Sequence, residues 1–287
     1  MVSPGCTNCY AMRQAHRFNG PSQPYEELTR AAEHGPVWTG KIRLVPDALD
    51  EPLRWRKPQR VFVNSMSDLF HEDVSEDFLN QIFAIMALAK EHTFQLLTKR
   101  PERMRDYLLE IQDDDLNRWA SCAPEAYPCS PAAIENREWP LDNLWLGVSV
   151  ENQAAADERI PILLQTPAAV RFLSIEPLLE AVHCQWEQLT RTLRAGENMI
   201  DWVIIGGESG PDARPCNVAW IREIMRQCRA AGVPVFVKQL GSRPWQPFKW
   251  ELKTGTSVEA QAITLKDHKG GDPAEWPKDL RVREFPR

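Results

Sequence analysis

The chain has 287 residues, 43% of them hydrophobic, enough for a sizeable core in one α/β barrel-like domain or two ordinary ones. A net charge of −6 and a pI of about 5.6 argue against a general polyanion binder and leave room only for a local basic face. No apolar run is long enough to span a bilayer and no charged-then-apolar leader is visible, so the expectation is a cytoplasmic protein without a membrane partner.

The chain opens with Val-Ser-Pro-Gly-Cys-Thr-Asn-Cys-Tyr-Ala-Met at Val2 to Met12. A C-x-x-C pair such as Cys6 and Cys9 turns two thiolates toward one soft metal or cluster. Pro4 and Gly5 supply the turn, and a helix from Tyr10 to Phe18 would favour ionised sulfurs at its N-terminus. Spacing alone also admits half a zinc site, a redox pair or coincidence. The seven cysteines are scattered, which reads as reduced thiols rather than a disulfide frame. From Pro21 to Pro58 the sequence reads as an irregular connection with short helical turns near Ala48 to Arg56. Arg54, Arg56, Lys57 and Arg60 gather around Trp55, either as a solvated face or as a phosphate-binding one.

Six short apolar runs then recur: Val61 to Val63, Phe94 to Leu97, Leu144 to Val148, Val170 to Leu173, Trp202 to Ile205, and Val235 to Val237. Helical patterns separate several of them. One runs from Ser75, a good N-cap, to Lys90, another from Pro101 to Ile111. A third spans Asn152 to Gln165, with an interruption expected at Pro161, and a fourth runs from Val218 to Ala231 with Gly232 as its stop. Asp113 to Pro140, with Cys122 and Cys129, reads as an inserted surface loop. Leu178 to Asp201 is the loosest connection, with helical potential near Gln185 to Arg194. Residues 1–240 therefore read as the α/β domain. Gly241 to Arg287 reads as a tail packed on it, with a polar hairpin around Leu252 to Leu265.

Continuous apolar strands suit a mostly parallel sheet covered on both faces, and hence a (β/α) barrel or a doubly wound sheet. Both bind ligands at the carboxyl ends of their strands. Asn64, Ser149, Glu151, Glu176, Glu208 and Lys238 lie there, with Ser65, Asp68, Thr98, Lys99, Ser174 and Gln239. Capping explains many Ser, Asn and Asp residues at such places, but accounts less well for Lys99, Glu176, Glu208 and Lys238. A cup of both charge signs suits a zwitterionic ligand, with Glu176 and Glu208 on an amine or ribose and Lys238 on a carboxylate.

Several of these stretches resemble a phage- and prophage-associated family of uncharacterised proteins with a three-cysteine motif, distantly similar to radical S-adenosylmethionine (SAM) enzymes. The matching runs are Val2 to Ala11, Pro-Leu-Arg-Trp-Arg at Pro52 to Arg56, and Val-Asn-Ser-Met-Ser-Asp-Leu-Phe-His at Val63 to His71. They continue with Leu-Leu-Thr-Lys-Arg-Pro-Glu-Arg-Met at Leu96 to Met104 and Leu-Gly-Val-Ser-Val-Glu at Leu146 to Glu151. Ser-Ile-Glu-Pro-Leu at Ser174 to Leu178 and Gly-Gly-Glu-Ser-Gly at Gly206 to Gly210 complete the set.

The resemblance implies a partial (β/α)6 barrel with a [4Fe–4S] cluster held by three cysteines. SAM would bind the remaining iron, and its cleavage would give a 5′-deoxyadenosyl radical that attacks a substrate the sequence does not reveal. Cys6 and Cys9 match the second and third cysteines of the family pattern. The first would fall before Met1, so the resemblance implies either a longer reading frame, with a Gly-Cys pair about seven positions before Cys6, or a lost cluster and an inactive chain. Gly206 to Glu208 is similar to the SAM-amine motif but sits late in the chain. The alternatives are a zinc protein using Cys6, Cys9, Cys122 and Cys129, and a barrel-fold binding protein without chemistry. Arg54, Arg56, Arg60, Lys99, Arg100 and Arg103 leave a nucleic-acid partner open, against the acidic total.

Overall fold

A computed structural model describes residues 1–33, 35–113, 116–124, 130–184, 199–252 and 255–286. Taken in chain order, α1 (Tyr10–Arg17) buries Ala11, Met12 and Ala15. Next, β1 (Thr29–Ala32) and β2 (Gly35–Trp38) form an antiparallel pair inside the stretch expected to be irregular. Gly35 and Pro36 read as breakers, yet an isolated two-stranded ribbon has edges on which they are tolerated. A single turn, α2 (Glu51–Arg54), leads to β3 (Arg60–Val63). The Ser75 hydroxyl accepts from the Phe78 N–H at 3.3 Å and starts α3 (Glu76–Leu88) as its sequence promised. Then follow β4 (Thr93–Thr98), α4 (Pro101–Asp113), α5 (Asn117–Ser121), α6 (Ser130–Glu135) and β5 (Leu144–Ser149).

The second half brings α7 (Gln153–Gln165), β6 (Val170–Ile175), β7 (Trp202–Gly206) and β8 (Cys216–Asn217). It closes with α8 (Val218–Ala231), β9 (Val235–Gln239), β10 (Pro244–Leu252) and β11 (Gly255–Ala262). The strands read from the six apolar runs form one sheet, in the order β3-β4-β5-β6-β7-β9. It is an all-parallel sheet of the half-barrel type, interleaved with helices. Every residue of β7 is buried, as expected of a parallel strand covered on both faces.

Two expectations give way. Helix α7 runs straight through Pro161. A proline withdraws one N–H, and the buried face made by Ala155, Ala156, Ile160, Leu163 and Leu164 holds the helix together across the gap. The stretch read as a surface loop carries α5 and α6 and buries Trp119 and Ile134 completely. Cys129 and the helical potential near Gln185 to Arg194 fall outside the described residues. Among the described residues no helix is long and apolar enough to cross a membrane.

By its internal contacts the chain divides into two compact units. The first holds Met1 with residues 9–147 and 165–170, the second residues 2–8, 148–164 and 171–287. The first is built on an aromatic core in which Phe83 lies 5.2 Å from Tyr107 and 5.1 Å from Trp119, ring centre to ring centre. In the second, the C-terminal stretch runs along β9: the Val237 N–H donates to the Val282 carbonyl and the Glu284 N–H to that of Val235. This covers an edge whose backbone groups would otherwise face solvent. The expected polar hairpin is present, beginning at Pro244 rather than near Leu252, and β10 also pairs in parallel with β8.

The aromatic core contains one polar chain. The Trp119 indole N–H donates to the Tyr107 hydroxyl at 2.8 Å, and that hydroxyl donates to Asn80 Oδ1 at 2.8 Å. Substitution Tyr107→Phe removes the central link and leaves both outer groups buried and unpaired. The expected loss is about 1–3 kcal/mol of unfolding free energy with an unchanged denaturant slope, read by chemical denaturation.

Candidate functional site

The second unit contains the N-terminal cysteine turn and four of its strand ends. Pro4, with φ preset for a first helical position, starts a single 3-10 turn over Pro4–Cys6, closed by the Cys6 N–H on the Ser3 carbonyl at 2.9 Å. The Ser3 hydroxyl donates to Glu151 Oε1, and its oxygen lies 3.9 Å from Cys6 Sγ. Glu151 follows the end of β5 and is fully buried. Its other oxygen accepts from Arg159 Nη1 at 2.9 Å, and the same nitrogen reaches the Ser149 carbonyl at 2.8 Å. Gly5 allows this approach, because a Cβ there would stand 2.9 Å from Glu151 Oε1.

Glu208, beyond the end of β7, holds the same turn from another side. Arg214 grips it with Nη2 on Oε1 at 2.6 Å and Nε on Oε2 at 2.8 Å, and the Arg214 backbone N–H adds a third bond at 2.8 Å. Asn8 Nδ2 donates to Glu208 Oε2 at 3.1 Å and to the Asp212 carbonyl at 2.8 Å. Arg214 Nη1 reaches the Pro4 carbonyl at 3.0 Å. Burial works to raise the Glu208 pKa, but the bonds from Arg214 and Asn8 outweigh it and hold the carboxyl below its usual range.

The third strand-end carboxylate differs. Glu176 follows β6, and its Oε2 accepts from Lys238 Nζ of β9 at 3.0 Å. Its side chain is 14% exposed, that of Lys238 58%. Glu176 Oε1 is buried and has no hydrogen-bond partner. It rests against Gly206, where a Cβ would come within 2.2 Å of it. Of the three carboxylates, only this one keeps an open acceptor.

Cys6, Ser149, Glu151, Glu176, Glu208 and Lys238 thus belong to the second unit, while Cys9 and Asn64 belong to the first. Cys9 caps α1, its carbonyl accepting from the Met12 N–H at 3.3 Å. Asn64 has φ of 62°, a turn conformation that Asn tolerates well. Asp68 organises the first unit's strand ends, accepting from Thr98 Oγ1 at 2.7 Å, the Lys99 N–H at 3.0 Å and Arg100 Nη1 at 3.2 Å. Arg103 donates to the carbonyls of His71 and Val74. Arg100 and Arg103, counted among the cations for a nucleic-acid partner, are therefore engaged within their own unit.

Sequence reasoning missed Ser3, Asn8, Arg159 and Arg214, because none sits at a strand end. The one available signal was an arginine six residues beyond Glu208. Among the described residues no three His, Cys, Asp or Glu side chains converge as metal ligands. Burial pushes the Cys184 and Cys216 thiols up to about 12 and raises that of Cys228 as well, so all three stay protonated and are poor ligands.

A protein-family model described as a protein of unknown function (DUF5131) matches residues 1–272. Among curated proteins and among solved structures, nothing matches the chain.

Because the Glu208 pKa falls on folding, its contribution is complete above its ordinary value of 4.5 and is lost as the pH drops through the lower, folded value. The protection of the Cys6 and Arg214 amides, taken against the intrinsic exchange rate at each pH, should therefore fall in acid below that value and stay high at neutral pH. In Glu208→Gln it should be low at both.

Proposed function

The chain belongs to the DUF5131 family, whose function is unknown, and from the geometry of its own residues we propose that it binds a small amine-bearing, zwitterionic ligand of the SAM class at its strand ends, as an enzyme of the partial-barrel type. The observation that carries this reading is the unsatisfied Glu176 Oε1. A buried acceptor left open costs about 1–3 kcal/mol, and a ligand ammonium that drew the carboxylate off Gly206 would recover it. Lys238 is more than half exposed and is free to turn from Glu176 to a ligand carboxylate. An amino-acid head group carries both complements, so one ligand would exchange a Glu–Lys pair for two charge-assisted contacts. Glu151 and Glu208 take a different role, since their oxygens already accept from Ser3, Arg159, Asn8 and Arg214. They position the cysteine turn.

The iron–sulfur half of the family resemblance has less support. A SAM-binding [4Fe–4S] cluster needs three protein thiolates. Cys6 and Cys9 are two, and the described residues offer no third in a converging group. The described residues do not fit that cluster by themselves. When bound, such a cluster would supply the electron for SAM cleavage. The four-thiolate zinc alternative rests on Cys129, which lies outside the described residues.

Isothermal calorimetry with SAM tests the ligand reading. The wild-type chain should bind, and Glu176→Gln should weaken binding about tenfold or more, since a hydrogen bond to a charged group is worth about 1.5–3 kcal/mol. Gly206→Ala, which displaces the carboxylate, should act in the same direction. Equal affinities across the three proteins would overturn it. Iron, sulfide and zinc per chain after anaerobic purification separate a cluster protein, a zinc protein and a metal-free one.

A further inference from the structure

The first unit carries a concave surface of different chemistry from the carboxylates above. Residues Arg54 to Phe62 line an open groove of about 820 Å³. Its local structure follows from the sequence. Helix α2 ends after one turn because Trp55 turns extended, and Pro58 biases Lys57 the same way. The chain then runs exposed from Trp55 to Arg60 and enters β3, the edge strand of the sheet.

A buried histidine fixes this strap. His92 Nδ1 accepts from the Gln59 N–H at 3.3 Å, which leaves its proton on Nε2, directed at the Pro52 carbonyl 2.9 Å away. The Gln59 carbonyl in turn accepts from the Thr93 N–H at 2.9 Å. The Trp55 ring leans on the imidazole, centre to centre 5.4 Å, and remains 41% exposed. Phe62 is 43% exposed on β3. Two large rings are thus presented beside four cations, Arg54, Arg56, Lys57 and Arg60, in a chain whose total charge is −6. Of the four, Arg54 pairs with Asp50 at 3.0 Å. A surface kept only for solubility has no use for Trp and Phe, and an apolar docking face has no use for the four charges.

We propose that this groove binds single-stranded nucleic acid, with Arg56 and Lys57 on phosphates and bases stacked on Trp55 and Phe62. Exposed rings beside a basic strap suit unpaired bases, whose faces are open to stacking. A duplex hides those faces in its stack and presents base edges and backbone. The site shares no residue with the Glu176–Lys238 pair, so either reading stands or falls without the other.

Fluorescence anisotropy with labelled oligo-dT and oligo-U, at several salt concentrations, tests the proposal on the full chain. Both strands should bind, or one of them if the sugar is discriminated. Affinity should fall with salt at a log–log slope of roughly −0.7 per phosphate contacted. The double substitution Arg56→Gln with Lys57→Gln should flatten that slope by roughly 1.4. Trp55→Leu should weaken binding by roughly 5- to 150-fold, the range measured for loss of one stacked base. Phe62→Ser serves as the second stacking probe if circular dichroism shows that Trp55→Leu disturbs the His92 contact. Absence of binding to both strands at low salt would overturn the proposal. So would equal binding of duplex or heparin with no effect of the ring substitutions, which marks a plain polyanion surface.

Discussion

The buried Glu151–Arg159 pair and the Glu208–Arg214 fork are the constraint on which the second unit's site depends. Each fixes a strand-end carboxylate, and each carboxylate holds the turn that carries Cys6. Taking both members of an ion pair out of water costs several kcal/mol per ion, and mutual attraction offsets this only when the remaining lone pairs are also filled. Both carboxylates have donors on each oxygen, while Arg159 Nε is left buried without a partner. Ser3 completes Glu151, while Asn8 and the Arg214 backbone N–H complete Glu208. The cysteine turn is therefore part of the solution to burying these charges, and not an appendage added to it.

Against that background Glu176 is the exception. It sits at an equivalent place, after β6, and has one cation on one oxygen, but Gly206 supplies no donor to the other. Any side chain at 206 would push the carboxylate away, so the backbone is kept bare where the acceptor is kept open. A fold that puts donors on both oxygens of two carboxylates and leaves one oxygen of the third wanting separates scaffold from binding group by hydrogen bonding alone. Position along the sheet does not make that separation.

The first unit uses the same logic with different residues. Asp68 gathers Thr98, Lys99 and Arg100 at the ends of β3 and β4. His92, nearly inaccessible to solvent, spends both ring nitrogens on backbone groups at the two ends of an exposed strap.

What the sequence by itself determined was the local part. Six apolar runs became six parallel strands, Ser75 capped α3 and Gly232 stopped α8 in a left-handed conformation, because periodicity and capping are set by residues within a few positions of each other. The polar strand ends were legible for the same reason. Only the tertiary structure decided what each one does. Glu151, Glu176 and Glu208 look alike in sequence, and their roles diverge because Ser3, Arg159, Asn8 and Arg214 reach two of them from up to 200 positions away while the third meets a glycine. The β1–β2 pair was hidden by Gly35 and Pro36, whose cost depends on whether the strand lies at an edge. The unbroken α7 was hidden by Pro161, whose cost depends on what the rest of the helix buries. Burial and partner choice are properties of residues distant in sequence, and no local pattern carries them.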